Sequence, residues 1–273
     1  MIKSVLMVAG DKQKHLEKLP HLKCDIAIIN LEDGVYDKKY ARDLVSKILP
    51  TIKQTNTKFV VRINDLKECG IDDIKAINQI KPYAIRVPKI KTIDDIKLAL
   101  ELIDNNIDIH LSIETKEAFE NLSKFKIDKR VTTVYLGILD LLESLKLPQN
   151  LLNLQNPMVD YILSKFLVDS KIANLYPISF VYQDYKNLDE FTQWCNKEKT
   201  IGFEAKACIS PKQVDIVNNI FKKNHIELEK SKYIIKQFEY HKSKGITGFS
   251  DEKYGFIDEP IYKNALLIVG KNS

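Results

Sequence analysis

The chain has 273 residues, 44% of them hydrophobic, which is enough to bury the core of a full-sized domain. The formal net charge is +5, but lysines alternate with acidic residues, as in Asp94-Asp95-Ile96-Lys97, a pattern typical of solvated helix surface and not of a nucleic-acid-binding patch. The sequence lacks a run of about 18 apolar residues that could span a membrane. Four scattered cysteines without metal-binding spacing indicate reduced thiols, so we expect a cytoplasmic protein without a membrane or nucleic-acid partner.

Short β-branched runs recur along the chain, each followed by a charged stretch with helical spacing. The predicted strands are Val5–Ala9, Ile26–Leu31, Phe59–Ile63, Ala84–Pro88, Ile109–Ile113, Thr133–Gly137, Ile178–Tyr182 and Thr200–Phe203. Most are almost continuously apolar, which suits parallel strands that are covered by helices on one side and by packed side chains on the other. These strand–helix units predict a closed (β/α)8 barrel, also called a TIM barrel, with an open doubly wound sheet as the alternative.

The end of the chain continues beyond what barrel closure requires. After Pro211 come the helical patterns Lys212–Lys223 and Glu227–Lys244, a glycine-containing loop at Gly245–Gly255, and an apolar helix at Ile261–Val269. We therefore predict a barrel over residues 1–215 and a C-terminal helical extension over residues 216–273. The extension is expected to complete the barrel and to contribute to an oligomer.

Ionisable residues stand at the carboxyl ends of consecutive predicted strands, the end at which barrel active sites are built. In chain order they are Glu32 and Asp33, Arg62, Lys89, Glu114, and Asp140. Glu114 and Asp140 follow adjacent strands and form the natural pair for Mg²⁺, which proteins hold by one or two carboxylates together with water and substrate oxygens. Arg62 is the candidate for paired hydrogen bonds to a substrate carboxylate.

Each of these residues also has a purely structural interpretation. Asp33 and Asp140 can be helix N-caps, while Arg62 can be half of a structural ion pair. Lys89 can be a surface residue, and His110 is interpreted as a core histidine with its hydrogen bonds satisfied. The sequence has neither a glycine-rich nucleotide-binding loop nor a Gly-x-Ser-x-Gly elbow, which disfavours nucleotide binding by such loops and serine hydrolysis. The functional interpretation therefore requires the rim residues to converge.

Motifs in a fixed order extend over nearly the whole chain. They are residues 4–12, 25–35 with Ala41-Arg42, Val61–Asn64, Val87–Lys89, Ile113–Thr115, Gly137–Leu141, Gly202–Lys206, Ile209–Gln213 and Gly255–Pro260. In this order they resemble the citrate lyase β-subunit family, also called the HpcH/HpaI aldolase family. The resemblance implies a barrel that cleaves or forms a carbon–carbon bond in a β-hydroxyacyl thioester. A small oxo acid of the oxaloacetate, glyoxylate or pyruvate type would be released or used.

The resemblance also implies roles for particular residues. Glu114 and Asp140 would bind Mg²⁺, Arg62 would hold the carboxylate of the oxo acid, and Glu32 and Asp33 would order metal-bound waters. By the same resemblance, Lys12 and Lys89 would bind the substrate, and Asp258 would be the acid/base group. Asp258 would act in its own chain or in a neighbouring subunit, because members of the family are commonly oligomers and often trimers.

Some positions depart from the family pattern. Lys12 stands in place of an arginine, Ser179 of an aspartate, Ala205 of a glycine and Ser210 of a histidine. These positions lie on the thioester side of the expected site, so they argue against a CoA or acyl-carrier-protein thioester as partner. Three hypotheses stay open: a Mg²⁺-dependent lyase acting on a small oxo acid, a divergent barrel acting on a sugar-derived or phosphorylated acid, and a non-catalytic oligomeric binding module.

Overall fold

The structure is a computed structural model that describes residues 2–270 except Gln54 and Lys223. The last residue of the predicted helix Lys212–Lys223 and residues 271–273 of the predicted extension thus lie outside the described residues. The chain divides into two compact units, residues 1–221 and 222–273. All four cysteines are free thiols. Within the described ranges, none of the helices combines the length and the apolar character needed to cross a bilayer.

The first unit is built from alternating strands and helices. Its strands are β1 (Ser4–Ala9), β2 (Ile26–Asn30), β3 (Lys58–Arg62), β4 (Ala84–Val87), β5 (Asp108–Ile113), β6 (Val131–Leu136), β7 (Tyr176–Ile178) and β8 (Lys206–Cys208). Its helices are α1 (Gln13–Leu16), α2 (Lys38–Ile48), α3 (Gly70–Asn78), α4 (Ile93–Leu102), α5 (Lys116–Asn121), α6 (Ile138–Ser144), α7 (Pro157–Ile172), α8 (Leu188–Ile201) and α9 (Pro211–Ile220). Helix α9 crosses the predicted boundary at residue 215 and lies within the first unit.

The strands form one parallel sheet that closes on itself. The order is β7-β6-β5-β4-β3-β2-β1-β8, so each strand from β1 to β6 pairs with the next one along the chain and β8 pairs with β1. Ser179, directly after β7, closes the seam to β8: its N–H donates to the carbonyl of Ala205 at 3.1 Å, and its carbonyl accepts from the N–H of Ala207 at 3.1 Å. The predicted (β/α)8 barrel is confirmed.

Alternate residues of each strand face two different cores. One cluster, made by inward-facing residues, includes Val5, Ile26, Ile28, Val60 and Ala84. Their neighbours along the strands pack in a larger cluster together with helix residues. Toward the carboxyl ends of the strands, the residues that point inward are polar. Arg62 comes two positions after Val60, and Arg86 comes two positions after Ala84, so both arginines face the same way as these inward residues. The barrel interior is therefore apolar at one end and charged at the other.

The prediction of the eighth strand at Thr200–Phe203 is wrong, because β8 begins only at Lys206. The first two of those residues end α8, and Gly202 caps the helix in the left-handed region at φ 116°. Helix α8 extends this far because Trp194 and Glu198 keep one helix face buried. The apolar residues on either side of Gly202 imitate a short strand in the sequence, whereas the chain resumes extended structure only at Lys206.

The second unit consists of two helices and a hairpin. Its elements are α10 (His225–Lys242), β9 (Gly248–Asp251), β10 (Gly255–Asp258) and α11 (Glu259–Val269). The antiparallel hairpin occupies most of the segment that was predicted as a loop, and that part of the prediction is wrong. Its strands have only four residues each, too few for a clear alternation. The unit has its own core, in which the rings of Phe238 and Tyr262 stack at 4.4 Å between centroids.

A fully buried ion pair connects β8 to α8. The Nζ of Lys206 lies 2.6 Å from Oε1 of Glu198, and neither side chain has any exposed surface. The same Nζ donates to the carbonyl of Phe180 at 3.0 Å. Because the flanking Ala205 and Ala207 belong to the inner cluster, Lys206 points outward, toward the helix layer. This orientation leaves no place for a Schiff-base role of Lys206 in the barrel mouth.

The ion pair generates a stability prediction. We expect Lys206→Met to lower the free energy of unfolding by about 3–5 kcal/mol, because it leaves the Glu198 carboxylate buried without its partner. The control is Lys97→Met, which removes an exposed pair with Asp94 at 2.9 Å and should cost about 0–1 kcal/mol. Denaturant unfolding of both variants measures the difference. Equal losses in the two variants would contradict a dominant contribution from the buried pair.

Candidate active site

A cavity of about 340 Å³ lies at the carboxyl ends of the barrel strands. Four of the rim residues singled out in the sequence line it: Asp33, Arg62, Glu114 and Asp140. The other polar side chains of its wall are Asn30, Arg86 and Gln183. Residues far apart in the sequence thus meet in one space.

Arg62 is the centre of an acidic cluster. Its side chain is 9% exposed, and its Nη2 pairs closely with Glu32. The same nitrogen lies 3.0 Å from Oδ2 of Asp33 and 3.9 Å from Oε2 of Glu114. Burial by itself lowers the pKa of Arg62, but the surrounding carboxylates outweigh it and raise the pKa above the ordinary value. Arg62 is therefore a permanent positive charge within the barrel.

Glu32 is the carboxylate most perturbed by this environment. Burial raises its pKa from 4.5 to about 7, with Arg62 acting in the opposite direction and Glu114 and Asp33 adding to the increase. Its Oε1 is buried and has no hydrogen-bond partner among the described residues. A buried carboxylate oxygen without a donor indicates that a water or a ligand completes the site.

Glu114 is held in place by main-chain features on both sides. The N–H of Lys89 donates to its Oε1 at 2.7 Å. Lys89 itself has a left-handed backbone, with φ 53°. On the other side stands Gly137, where a Cβ would lie 2.7 Å from the Cβ and 2.8 Å from Oε2 of Glu114. The absence of a side chain at Gly137 thus leaves the space that the carboxylate occupies.

Asp140 comes from the first turn of α6, which follows β6 directly. Burial raises its pKa, and the neighbouring charges of Glu114 and Asp33 raise it further. Asp140 and Glu114 also line a second opening beside the main cavity, together with Lys89. Asp140 is not an N-cap, because Gly137 occupies the N-cap position of α6.

The donor set fits a hard divalent cation that keeps part of its water. The described residues contain no cluster of three His, Cys, Asp or Glu side chains that could enclose a metal. Mg²⁺ does not need such an enclosure, since one or two carboxylates, waters and substrate oxygens complete its octahedron. Glu114 and Asp140 are two carboxylates that could hold such an ion, and the partnerless Oε1 of Glu32 could accept a hydrogen bond from one of its waters.

The remaining predicted site residues are Lys12, Lys89 and Asp258. Lys12 is exposed and pairs with Asp11 at 3.0 Å. Lys89 places its backbone against Glu114, and its side chain belongs to the second opening. Asp258 belongs to the second unit, where its carboxylate accepts the N–H of Ile261 at 3.1 Å as the N-cap of α11.

Arg86 was missed as a site residue by reasoning from the sequence. It occupies the centre of β4, lines the cavity, and is only 5% exposed. The prediction examined residues at strand ends, whereas Arg86 lies within a strand. A usable signal was present, since a charged residue interrupts an otherwise apolar strand and the chain has only four arginines. His110, by contrast, is a buried core residue whose Nδ1 lies 2.9 Å from the hydroxyl of Tyr135.

Fold and site together define a (β/α)8-barrel enzyme with an acidic, arginine-containing site at the carboxyl-terminal rim. The sequence model of the HpcH/HpaI aldolase/citrate lyase family matches residues 3–211, and the chain belongs to this family. It is accordingly an enzyme of the carbon–carbon lyase type found there.

Named relatives extend the comparison to almost the full chain. A (3S)-malyl-CoA thioesterase of Cereibacter sphaeroides is 28% identical over 276 residues, covering 99% of this chain and 93% of the relative. The mitochondrial citramalyl-CoA lyase of Rattus norvegicus is 26% identical over 290 residues, covering 98% and 85%. The solved structure of CitE from Mycobacterium tuberculosis in complex with magnesium, acetoacetate and coenzyme A superposes with a TM-score of 0.76 at 19% identity, covering 98% of each chain. This last likeness supports the fold.

The perturbed Glu32 generates a pH prediction for the metal-free protein. Because the pKa is raised from 4.5 to about 7, the folded state retains a proton that the unfolded state releases between these values. The associated stability is fully present below pH 4.5 and is lost as the pH rises through about 7. Relative to Glu32→Gln, we expect the wild-type free energy of unfolding to fall by roughly 3 kcal/mol across this window, at about 1.4 kcal/mol per pKa unit.

Denaturant unfolding at a series of pH values, with a chelator present, checks this expectation. The matched control is Glu101→Gln, on the exposed face of α4, which should retain the wild-type pH profile. Parallel profiles for the wild type and Glu32→Gln would show that Glu32 does not carry the effect.

Proposed function

We propose that this enzyme is a Mg²⁺-dependent lyase or aldolase that cleaves or forms a β-hydroxyacyl thioester, with release or use of a small oxo acid. The observation that supports this most directly is the meeting of Arg62, Glu114 and Asp140 at one cavity. The thioester is proposed to be a CoA ester, because the named relatives act on malyl-CoA or citramalyl-CoA. For this proposal, the CoA-ester substrates in the names of the relatives weigh more than the sequence departures that argue against a CoA partner.

Each residue of the cluster has a distinct proposed role. Glu114 and Asp140 would hold Mg²⁺, and the ion when bound supplies polarisation of the carbonyl group of the oxo acid. Arg62 binds the carboxylate of the oxo acid through its guanidinium group. Glu32 and Asp33 keep Arg62 in position and accept hydrogen bonds from ordered water.

The proton transfer is assigned to Asp258. In the direction of bond formation, this carboxylate takes a proton from the carbon next to the thioester carbonyl. The resulting carbanion attacks the carbonyl carbon of the oxo acid, whose oxygen becomes an alkoxide and takes up a proton from water to give the β-hydroxyl group. In cleavage the hydroxyl group loses its proton to water, the carbon–carbon bond breaks, and Asp258 returns a proton to the acyl thioester. Since such a carbon acid is weak, fixed charges at the rim must stabilise the developing negative charge. We propose that the enzyme is a homo-oligomer, a trimer or a multiple of it, in which Asp258 serves its own or a neighbouring site.

The metal ligands provide the first test. We expect Glu114→Gln and Asp140→Asn each to weaken Mg²⁺ binding by about tenfold to a hundredfold, with a corresponding loss of turnover. Calorimetry measures Mg²⁺ binding in the presence of an oxo acid. Chromatographic detection of the β-hydroxyacyl-CoA formed from acetyl-CoA or propionyl-CoA with glyoxylate, pyruvate or oxaloacetate measures turnover. Asp94→Asn, on the exposed surface of α4, is the matched control.

The outcomes separate the competing functions. Intact Mg²⁺ binding without turnover on any thioester and oxo-acid pair would overturn the lyase proposal in favour of a different substrate. Ligand binding that is indifferent to both substitutions would favour a non-catalytic module.

Asp258 allows a sharper test because its carboxylate has two separable functions. Asn is an equally good N-cap, so Asp258→Asn retains the hydrogen bond from Ile261 and removes only the proton acceptor. We expect Asp258→Asn to keep wild-type thermal stability and oxo-acid binding while kcat falls by about a hundredfold or more. Asp258→Ala should lose about 1 kcal/mol of stability in addition. Wild-type kcat in Asp258→Asn would exclude the acid/base role.

Mixing variants tells whether Asp258 acts within its own chain or in a neighbouring subunit. Neither Asp258→Asn nor Glu114→Gln should be active alone. If the group crosses between subunits, co-assembled oligomers of the two variants regain part of the activity, because some sites combine an intact Glu114 with an intact Asp258. If it acts within one chain, the mixture stays inactive.

A further inference from the structure

Arg86 is a buried cation without a carboxylate in direct contact among the described residues. Its side chain lines the cavity and is 5% exposed. Its Nε donates to the hydroxyl of Ser112 at 2.8 Å, and its guanidinium carbon lies 4.3 Å from the ring centroid of Tyr135. Within the described part of the chain it forms no ion pair shorter than 4 Å, whereas Arg62 has three acidic neighbours at such distances. An unpaired buried charge is costly unless a ligand compensates it.

The residues beneath Arg86 do not neutralise it. The hydroxyl of Tyr135 is engaged with Nδ1 of His110 at 2.9 Å. Burial lowers the pKa of His110 to about 3, with the charge of Arg86 acting in the same direction, so this ring is neutral. Ser112, Tyr135 and His110 therefore form an uncharged support that fixes the guanidinium group without removing its charge.

A structural role of the usual kind does not account for Arg86. Arg130 illustrates that role: its Nη1 donates to the carbonyl of Ile103 at 2.8 Å and its Nη2 to that of Leu100 at 2.8 Å, so it ties α4 to the start of β6. Arg86 commits only its Nε to a protein acceptor. Its two terminal nitrogens have no hydrogen bond within the described residues and stand on a side chain that borders the cavity.

The position of Arg86 relative to Arg62 indicates what it binds. The two residues are direct register partners on β3 and β4, so both point into the barrel from neighbouring strands about 4.8 Å apart. Burial, followed by the charge of Arg62, lowers the pKa of Arg86 to about 10, which leaves it protonated at neutral pH. The free edge formed by its terminal nitrogens matches the two oxygens of a carboxylate. Two guanidinium groups at this spacing suit a small molecule with two anionic ends.

We infer that Arg86 is a specificity-determining residue that binds a second carboxylate of the oxo acid, so that the substrate is a dicarboxylic oxo acid and not a monocarboxylic one. This rests on the proposed function, because it requires an oxo acid in the same cavity. Arg62 and the cation-binding side of the cavity take the 2-oxo-carboxylate end, and Arg86 takes the far end. The cavity volume of about 340 Å³ is ample for a four-carbon diacid.

The wild-type protein provides the first test, without any substitution. Oxaloacetate and pyruvate differ by one carboxylate, and calorimetry in Mg²⁺ with freshly dissolved acids gives both dissociation constants. Oxaloacetate is expected to bind about tenfold to a hundredfold more tightly, the range for a charged hydrogen-bonded pair. Equal affinities would overturn the inference. Tighter binding of phosphonopyruvate than of oxaloacetate would overturn the carboxylate assignment in favour of a phosphorylated acid.

Substitution then tests whether Arg86 is the cause of the preference. In Arg86→Gln the ratio of the two dissociation constants should fall to about one, and in Arg86→Lys it should be intermediate, because a single ammonium replaces the paired donors. Arg130→Gln removes a buried arginine outside the cavity and should keep the wild-type ratio. A preference that survives in folded Arg86→Gln contradicts the inference.

Stability and the proposed function are controlled separately. Thermal unfolding identifies variants that fold, and Ser112→Ala offers a second, milder perturbation that frees Nε and should reduce the ratio several-fold. Failure of the proposed function would appear as oxo-acid binding that ignores Mg²⁺ and Glu114→Gln. Failure of this inference would appear as Mg²⁺-dependent binding without discrimination between the two acids.

Discussion

The site depends on one constraint: the positive charge of Arg62 is buried inside the barrel and has to be compensated there. Glu32, Asp33 and Glu114 provide this compensation, and each is drawn toward the guanidinium nitrogen Nη2. Burying a charge of this kind is tolerated only with close, well-oriented partners. The positions of these three acidic groups are therefore linked to Arg62, and so is the pKa of Glu32.

The balance of charge at the rim explains why a divalent cation suits it. Four carboxylates, those of Glu32, Asp33, Glu114 and Asp140, are set against the guanidinium groups of Arg62 and Arg86 and the ammonium group of Lys89, so one negative charge remains when all are ionised. A divalent cation offsets the mutual repulsion of the carboxylates and lowers the pKa values that burial and this repulsion raise. The backbone fixes the position of one of these carboxylates, because the N–H of Lys89 orients Glu114 and Gly137 leaves room for its side chain.

The sequence predicted the barrel and the rim because both follow from simple periodicity. A parallel strand in a barrel places its carboxyl end at the active face, so order in the sequence alone brings Arg62, Glu114 and Asp140 to one edge. The prediction failed where local patterns were ambiguous. Gly202 ends a helix between two apolar residues that resemble a strand. Arg86 was not predicted as a site residue. Its lack of a carboxylate in direct contact among the described residues can be seen only in the three-dimensional structure.

One departure from the family pattern, the serine at position 210, has a physical explanation in the fold. Ser210 is the N-cap of α9: its hydroxyl accepts the N–H of Gln213 at 3.3 Å, and the side chain of Gln213 accepts the N–H of Ser210 in return. Ser179 closes the barrel through its backbone, a function that any residue without a proline ring could fulfil.

These roles concern the strand and helix ends around β7 and β8, and they do not touch the acidic cluster around Arg62. A substitution that creates a capping box has a reason of its own in local stability. The serine at position 210 thus has a structural reason that does not involve the thioester, which weakens the sequence argument against a CoA partner. Inside the cavity, Arg86 adds a second buried positive charge beside that of Arg62.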